Sequence, residues 1–316
     1  PENLKGALIL LIASVIWGST FIPQKIAMDF WSPLQFTAIR FVIGTFLLIT
    51  ILPLFSLPKK IDSKSLISLP IYIIIAFIKP NNSVNKKHSY KDWFNLIFLG
   101  VIGYYFASYL DFQGLQYITA SLERLVLFIY PTITTVLAFI YLKRAISVYK
   151  IIAIVFTYIG IGVAFLGKDH QNIQDDFWLG VGLIFASAIT FSIYLVGSEK
   201  IIPKFGVKRF TTYCMIVSCI SVLIHFGIKS DIDITSFPWQ VYALGGVIAI
   251  FNTVLPSYMM SASIKIIGSS TTAVLSSVGP ISVIILGYLL LDEQISYFQI
   301  AGTFIVIIGV IIMSRK

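Results

Sequence analysis

The sequence predicts an all-α membrane protein, ten transmembrane helices arranged as two inverted five-helix repeats, and three observations carry that prediction. First, 57% of the 316 residues are apolar and only 12% are charged, with a mean hydropathy of +0.91, which is far too oily for a soluble domain. Second, the chain repeats itself. The stretch from Thr119 to Ser147 (TASLERLVLFIYPTITTVLAFIYLKRAIS) aligns 149 residues further on with Gly268 to Ser296 (GSSTTAVLSSVGPISVIILGYLLLDEQIS), so that Pro131 falls on Pro280, Ser121 on Ser270 and Leu142 on Leu291. The same offset puts Ser108 and Tyr109 on Ser257 and Tyr258, and Ile159 and Gly160 on Ile308 and Gly309. A period held over roughly sixty residues indicates internal duplication. Third, the basic residues are sided. With the N-terminus placed in the cytoplasm, 18 of the 23 Lys and Arg residues fall on inner connectors and tails, four (Lys25, Arg124, Lys168, Lys229) fall outside, and Arg40 lies within a helix. That bias predicts cytoplasmic N- and C-termini in an inner membrane, and it accounts for the net charge of +9 without nucleic acid as a partner.

Taken in order, apolar runs long enough to cross about 30 Å of hydrocarbon lie near 6–28, 33–55, 94–117, 121–142, 148–167, 178–198, 210–229, 239–264, 270–291 and 297–314. The first exceeds the usual apolar core of a signal sequence and is followed closely by another run, so a retained span is expected. Their length, and the lack of strict alternation, make them helices rather than barrel strands. The first helices of the two halves match more weakly, at an offset of 174, with Gly6 on Gly180 and Trp17 on Phe191. The difference between the two offsets places a 25-residue insertion in the first half, within Ser56 to Asp92. That Lys-rich segment holds an apolar run from Leu66 to Ile78, too short to span and suited to the interface. The two repeats are therefore 1–168, carrying the insertion 56–92, and 169–316. Five spans per unit is an odd number, so the second unit enters the membrane upside down.

Small residues recur on the fifth and tenth spans, Ala153 with Gly160 and their mates Gly302 with Gly309, each pair seven apart on one face where helices approach closely. Cys214 and Cys219, five apart, point about 140° from one another on a helix and suggest neither a disulfide nor a metal site. No phosphate loop, zinc motif or nucleophile elbow occurs, so neither an enzyme nor a cofactor is expected.

Candidate site residues come from proline, stripe and depth. Pro131, Pro256 and Pro280 fall inside their spans, where each removes a backbone donor and leaves a carbonyl four residues back (Leu127, Asn252, Ser276) without its helical partner. A kink satisfied by neighbouring hydroxyls is the plain structural reading; three such sites near one depth favour a cavity. Tyr104, Ser108 and Asp111 share a face of the third span, with Thr253, Ser257 and Met260 at the repeat offset. Glu123, Tyr130 and Thr134 share a face of the fourth, with Thr272, Ser276 and Gly279 as mates, and Trp17, Thr20 and Gln24 form a stripe on the first. Arg40 lies seven residues inside Pro33 and Asp111 six from Tyr117, roughly 10 and 9 Å deep at 1.5 Å per residue. Charges at matching depth are expected to pair, or to act as a gate or solute contact. The pocket expected from this pattern comprises Trp17, Tyr104, Ser108, Asp111, Glu123, Tyr130, Asn252, Ser257 and Ser276, with a small molecule and the surrounding lipids as partners.

The residues Ile39, Arg40 and Phe41, the run from Gly114 to Ser121 (GLQYITAS) leading to Tyr130 and Pro131, and the run from Leu291 to Ser296 (LDEQIS) followed by Gly302 and Gly309 resemble the EamA family of the drug/metabolite transporter superfamily. The family usually carries a glutamate after its fourth span, as at Glu293 after the ninth; Arg144 stands there instead. The resemblance implies ten helices around a central cavity formed by the first, third, fourth, sixth, eighth and ninth, and transport of amino acids, amphiphilic drugs or other metabolites. The expected function is a permease moving a small organic metabolite, an amino acid or amine-bearing compound, by alternating access. A membrane-embedded enzyme or sensor and a passive channel are the alternatives.

Overall fold

A computed structural model of the chain describes residues 2–19, 32–54, 88–118, 123, 126–165, 176–229, 239–276 and 297–314. Among them the chain forms ten helical segments and no strand. These are α1 (Glu2–Ser19), α2 (Pro33–Leu54), α3 (Tyr90–Gly114), α4 (Tyr130–Leu142), α5 (Val148–Phe165), α6 (Phe177–Phe205), α7 (Val207–Lys229), α8 (from Trp239 to Ile267), α9 (Ser269–Leu275) and α10 (Tyr297–Ser314). Four stretches, Tyr90–Gly114, Phe177–Phe205, Val207–Ile228 and Tyr242–Ile267, are long and apolar enough to cross a membrane, and shorter apolar helices accompany them.

Side chains are distributed in the reverse of a soluble protein. Outer faces present Phe94, Phe98, Phe139, Ile140, Phe304 and Ile308, all more than 45% exposed, while Thr37, Arg40, Ser192, Ser198, Ser218, Thr211 and Ser263 are buried. Apolar surface turned outward is at home in lipid, and small hydroxyls inside let helices meet closely. Several buried hydroxyls are satisfied locally. Thr37 donates to the Pro33 carbonyl at 2.6 Å, Ser198 to Tyr194 at 2.6 Å and Thr272 to Gly268 at 2.7 Å, each four residues back, which removes the cost of a bare donor in a dry interior.

α3 and α8 are each interrupted by a π-helical turn, Val101–Phe106 and Ala249–Val254. The amides of Ala107 and Leu255 reach the carbonyls of Ile102 and Ile250, five residues back. Carbonyls beside the first turn are taken up by neighbouring helices: Ser218 donates to Gly100 at 2.6 Å and Ser187 to Ala107 at 2.8 Å.

The helices pack in a set of pairs that survives exchange of the chain's two halves. α1 lies on the C-terminal part of α8, and α6 on the C-terminal part of α3; α3 touches α7, and α8 touches α2; α2–α7, α4–α9 and α5–α10 are pairs in their own right. The α5–α10 seam is the most extensive and runs through the small residues expected there. A Cβ on Gly160 would stand 2.6 Å from the Gly302 carbonyl, and one on Gly309 3.1 Å from that of Ala153.

Two expectations about proline change. The fourth span is not one helix with Pro131 at its centre. Phe128 and Ile129 form a turn, α4 starts at Tyr130, and Pro131 sits in its first turn, where its missing N–H is an orphan in any helix. The Tyr130 carbonyl accepts from Ser192 of α6 at 3.1 Å. Pro256 does lie within a continuous helix, but the π turn directly before it shifts the hydrogen-bond register there. Pro280 and most of the insertion 56–92 lie outside the described residues.

Candidate functional site

The two π turns face one another across the bundle. Gly103 and Tyr104 from the first, and Asn252 and Thr253 from the second, line one cavity of about 130 Å³. A π turn widens the helix locally and re-aims side chains, a feature frequent at functional sites. Further along the same helices Ser108 and Asp111, and Pro256, Ser257 and Met260, complete two walls. α2 adds Arg40 and Phe41, the segment before α4 adds Leu127 and Phe128, α4 adds Tyr130, α6 adds Ser187, Phe191 and Tyr194, and Ser14 and Ser276 also line the cavity.

Of the residues expected from sequence, Tyr104, Ser108, Asp111, Tyr130, Asn252, Ser257, Ser276, Arg40 and Pro256 all line this space. Glu123 is fully buried but is not part of the lining, and neither is Pro131. Trp17 belongs to α1; its side chain, like Pro280, lies outside the described residues. The sixth helix was among those implied by resemblance, but none of its residues was named for the pocket, although a signal existed. Phe191 and Tyr194 stand at the repeat positions of Trp17 and Thr20. The second helix was not among those implied by resemblance, although Arg40 on it was expected as a gate or solute contact and lines the cavity.

The aromatic wall is rigid. Tyr194 donates its hydroxyl proton to Tyr104 at 2.8 Å, their rings meet edge-on at 4.9 Å, and Phe191 and Phe210 stack on Tyr194 at 6.0 and 6.2 Å. Arg40 is only 6% exposed. Its guanidinium lies over the rings of Phe41, Phe112 and Phe36 at 4.9, 5.2 and 5.7 Å. It feels the charge of Asp111, yet among the described residues no ion pair within 4.0 Å joins them.

At one end of the bundle Glu199 ties three elements together. Its carboxylate bridges Arg144, in the α4–α5 connector, at 2.6 Å and accepts from the Ser269 amide at 2.7 Å and hydroxyl at 2.5 Å. It therefore caps the N-terminus of α9, where a negative charge is favoured. Among the described residues no group of three or more His, Cys, Asp or Glu side chains is placed to hold a metal ion.

A family model described as the EamA-like transporter family matches residues 4–166 and 178–315. The chain belongs to that family. Among similar proteins, the uncharacterized transporter YcbK of Bacillus subtilis is 28% identical over 254 residues, covering 78% of this chain and 80% of that protein. The transporter YyaM of the same organism is 24% identical across 99% of this chain and 94% of its own length. An uncharacterized transporter of Archaeoglobus fulgidus is 20% identical over 99% of this chain and all of its own. A solved crystal structure superposes with a TM-score of 0.72 at 14% identity, over 98% of this chain and 96% of that one, which establishes likeness of fold alone. Family and apolar helices together make this EamA-like chain an integral membrane protein.

Proposed function

We propose that this EamA-family protein is a secondary transporter that binds a small organic metabolite, an amino acid or amine-bearing compound, in the cavity between the π turns and moves it by alternating access. The observation that carries the reading is the exchange symmetry of the helix pairs. α3 and α8 start at Tyr90 and Trp239, α5 and α10 at Val148 and Tyr297, each 149 residues apart, while α2 and α7 start 174 apart at Pro33 and Val207. Several of the helix contacts have a counterpart when the halves are exchanged, and the family match itself falls in two blocks. This supports two inverted repeats, 1–168 and 169–316, around a site near their common axis, an arrangement that lets one half rock against the other.

On this reading Tyr104, Tyr130, Tyr194 and Phe191 offer ring surface to the solute, and Asn252, Ser257 and Ser276 a few polar contacts, the usual make-up of a small-molecule pocket. Trp17, the repeat mate of Phe191, is on this reading a further solute contact. Asp111 attracts an amine from the cavity wall, whereas Glu123 is buried outside the lining. The cytoplasmic placement of both termini in the inner membrane rests on the charge bias.

The test is purified protein in liposomes against a metabolite panel. Gradient-driven counterflow of a metabolite supports the carrier, and chemical turnover without flux refutes it. Asn252→Ala and Trp17→Ala should weaken binding of the solute so found by about tenfold or more, roughly 1.4 kcal/mol, while Ile308→Ala on the outer face should bind as the parent does.

A further inference from the structure

We propose that Arg40 is the anion-recognition residue of the cavity and that the solute carries a carboxylate. The inference rests on the transport reading only in calling the ligand a transported solute. A guanidinium has five donors and no acceptor. Here it is more than nine-tenths buried, lines the cavity, and its Nε has no hydrogen-bond partner. Three ring faces surround it. They stabilise a cation and hold the planar fork still, but none replaces the hydrogen bonds lost on leaving water. Among the described residues no carboxylate comes within 4.0 Å. Burying a charge in this way is costly, and for packing alone an apolar side chain of similar size would serve better. An incoming carboxylate removes the cost, since its two oxygens match the fork in a bidentate pair. The field of Asp111 offsets the charge of Arg40 while the cavity is empty, and on binding it favours a solute that also bears a positive group.

Three probes with one phenyl body separate the ends of such a solute: phenylpropionate (acid only), phenylethylamine (amine only) and phenylalanine (both). Binding is read by titration calorimetry on the purified full chain. The acid and the amino acid should bind the parent about tenfold or more tightly than the amine. Arg40→Gln should erase that preference by weakening binding of the acid and the amino acid, and Arg40→Lys, with the charge but not the fork, should fall between. Three results overturn the proposal: an amine that binds as tightly as the acid, an Arg40→Gln protein that binds the acid like the parent, or no binding of either carboxylate probe in the millimolar range. If Arg40→Gln does not fold, the preference of the parent for acid over amine decides. Vesicle flux keeps the two readings apart. Acid binding that depends on Arg40 without flux of any solute ends the transport reading alone, and flux of amines with Arg40→Gln unimpaired ends this one alone.

Discussion

At Gly103 a Cβ would stand 2.3 Å from Cγ of Tyr194, and Tyr194 has nowhere to go. It is 1% exposed, stacked between Phe191 and Phe210 and hydrogen-bonded to Tyr104. Gly103→Ala should therefore lower the melting temperature in detergent, with a cost of about 1–3 kcal/mol typical of overpacking. Gly182→Ala, where a Cβ meets nothing within 4 Å, should not. Sequence could place Tyr104 on a lined face, because its stripe with Ser108 and Asp111 has helical spacing. It could not give the contact that makes Gly103 obligatory, since Tyr194 comes from the other half of the chain. The same limit applies to Arg40. Its depth was readable from residue count, whereas the three rings around it come from two helices, Phe36 and Phe41 on α2 and Phe112 on α3.

Among the elements, the end of α9 is held by side chains from both halves. Glu199 bonds the first amide of that helix and bridges Arg144 of the α4–α5 connector. The Arg144 side chain is 58% exposed and the Glu199 side chain 10%, so the bridge alone is partly screened. Glu199→Ala should destabilise more than Arg144→Ala because it also uncaps α9, and the double variant should cost less than the sum, with a coupling of roughly 0.5–3 kcal/mol in thermal unfolding. Strict additivity would show the bridge to be idle. Arg144 was legible as a departure from the glutamate usual in the EamA family; what it does was not, because its partner lies 55 residues away. Helix boundaries were mostly legible, since length and hydropathy dictate them, but the start of α4 was not. A proline in an apolar run reads equally as a kink or as a first turn, and the turn at Phe128 and Ile129 that decides it has no compositional mark.

For the whole molecule, the α5–α10 seam joins the last helix of each half, and its small residues are pressed against backbone. A Cβ on Gly160 meets the Gly302 carbonyl at 2.6 Å and the Val306 amide at 2.9 Å, while Gly162, two residues on, meets nothing. Gly160→Leu should separate the two helices and lower the yield of folded protein on size-exclusion chromatography, and Gly162→Leu should behave as the parent. The seam was readable because both halves carry the same seven-residue spacing. The π turns were not, because a slip in hydrogen-bond register is a property of the backbone that no residue type announces.

That slip also fixes how the chain can be lengthened or shortened. A π turn holds one residue more than the α-turn it replaces, so removing any one residue between Val101 and Phe106 lets α3 close up as a regular helix. Everything beyond then keeps close to its former facing, while Gly103 and Tyr104, within the turn, lose the widened geometry that aims them at the cavity. A one-residue deletion there should abolish solute binding in a protein that still folds into membranes.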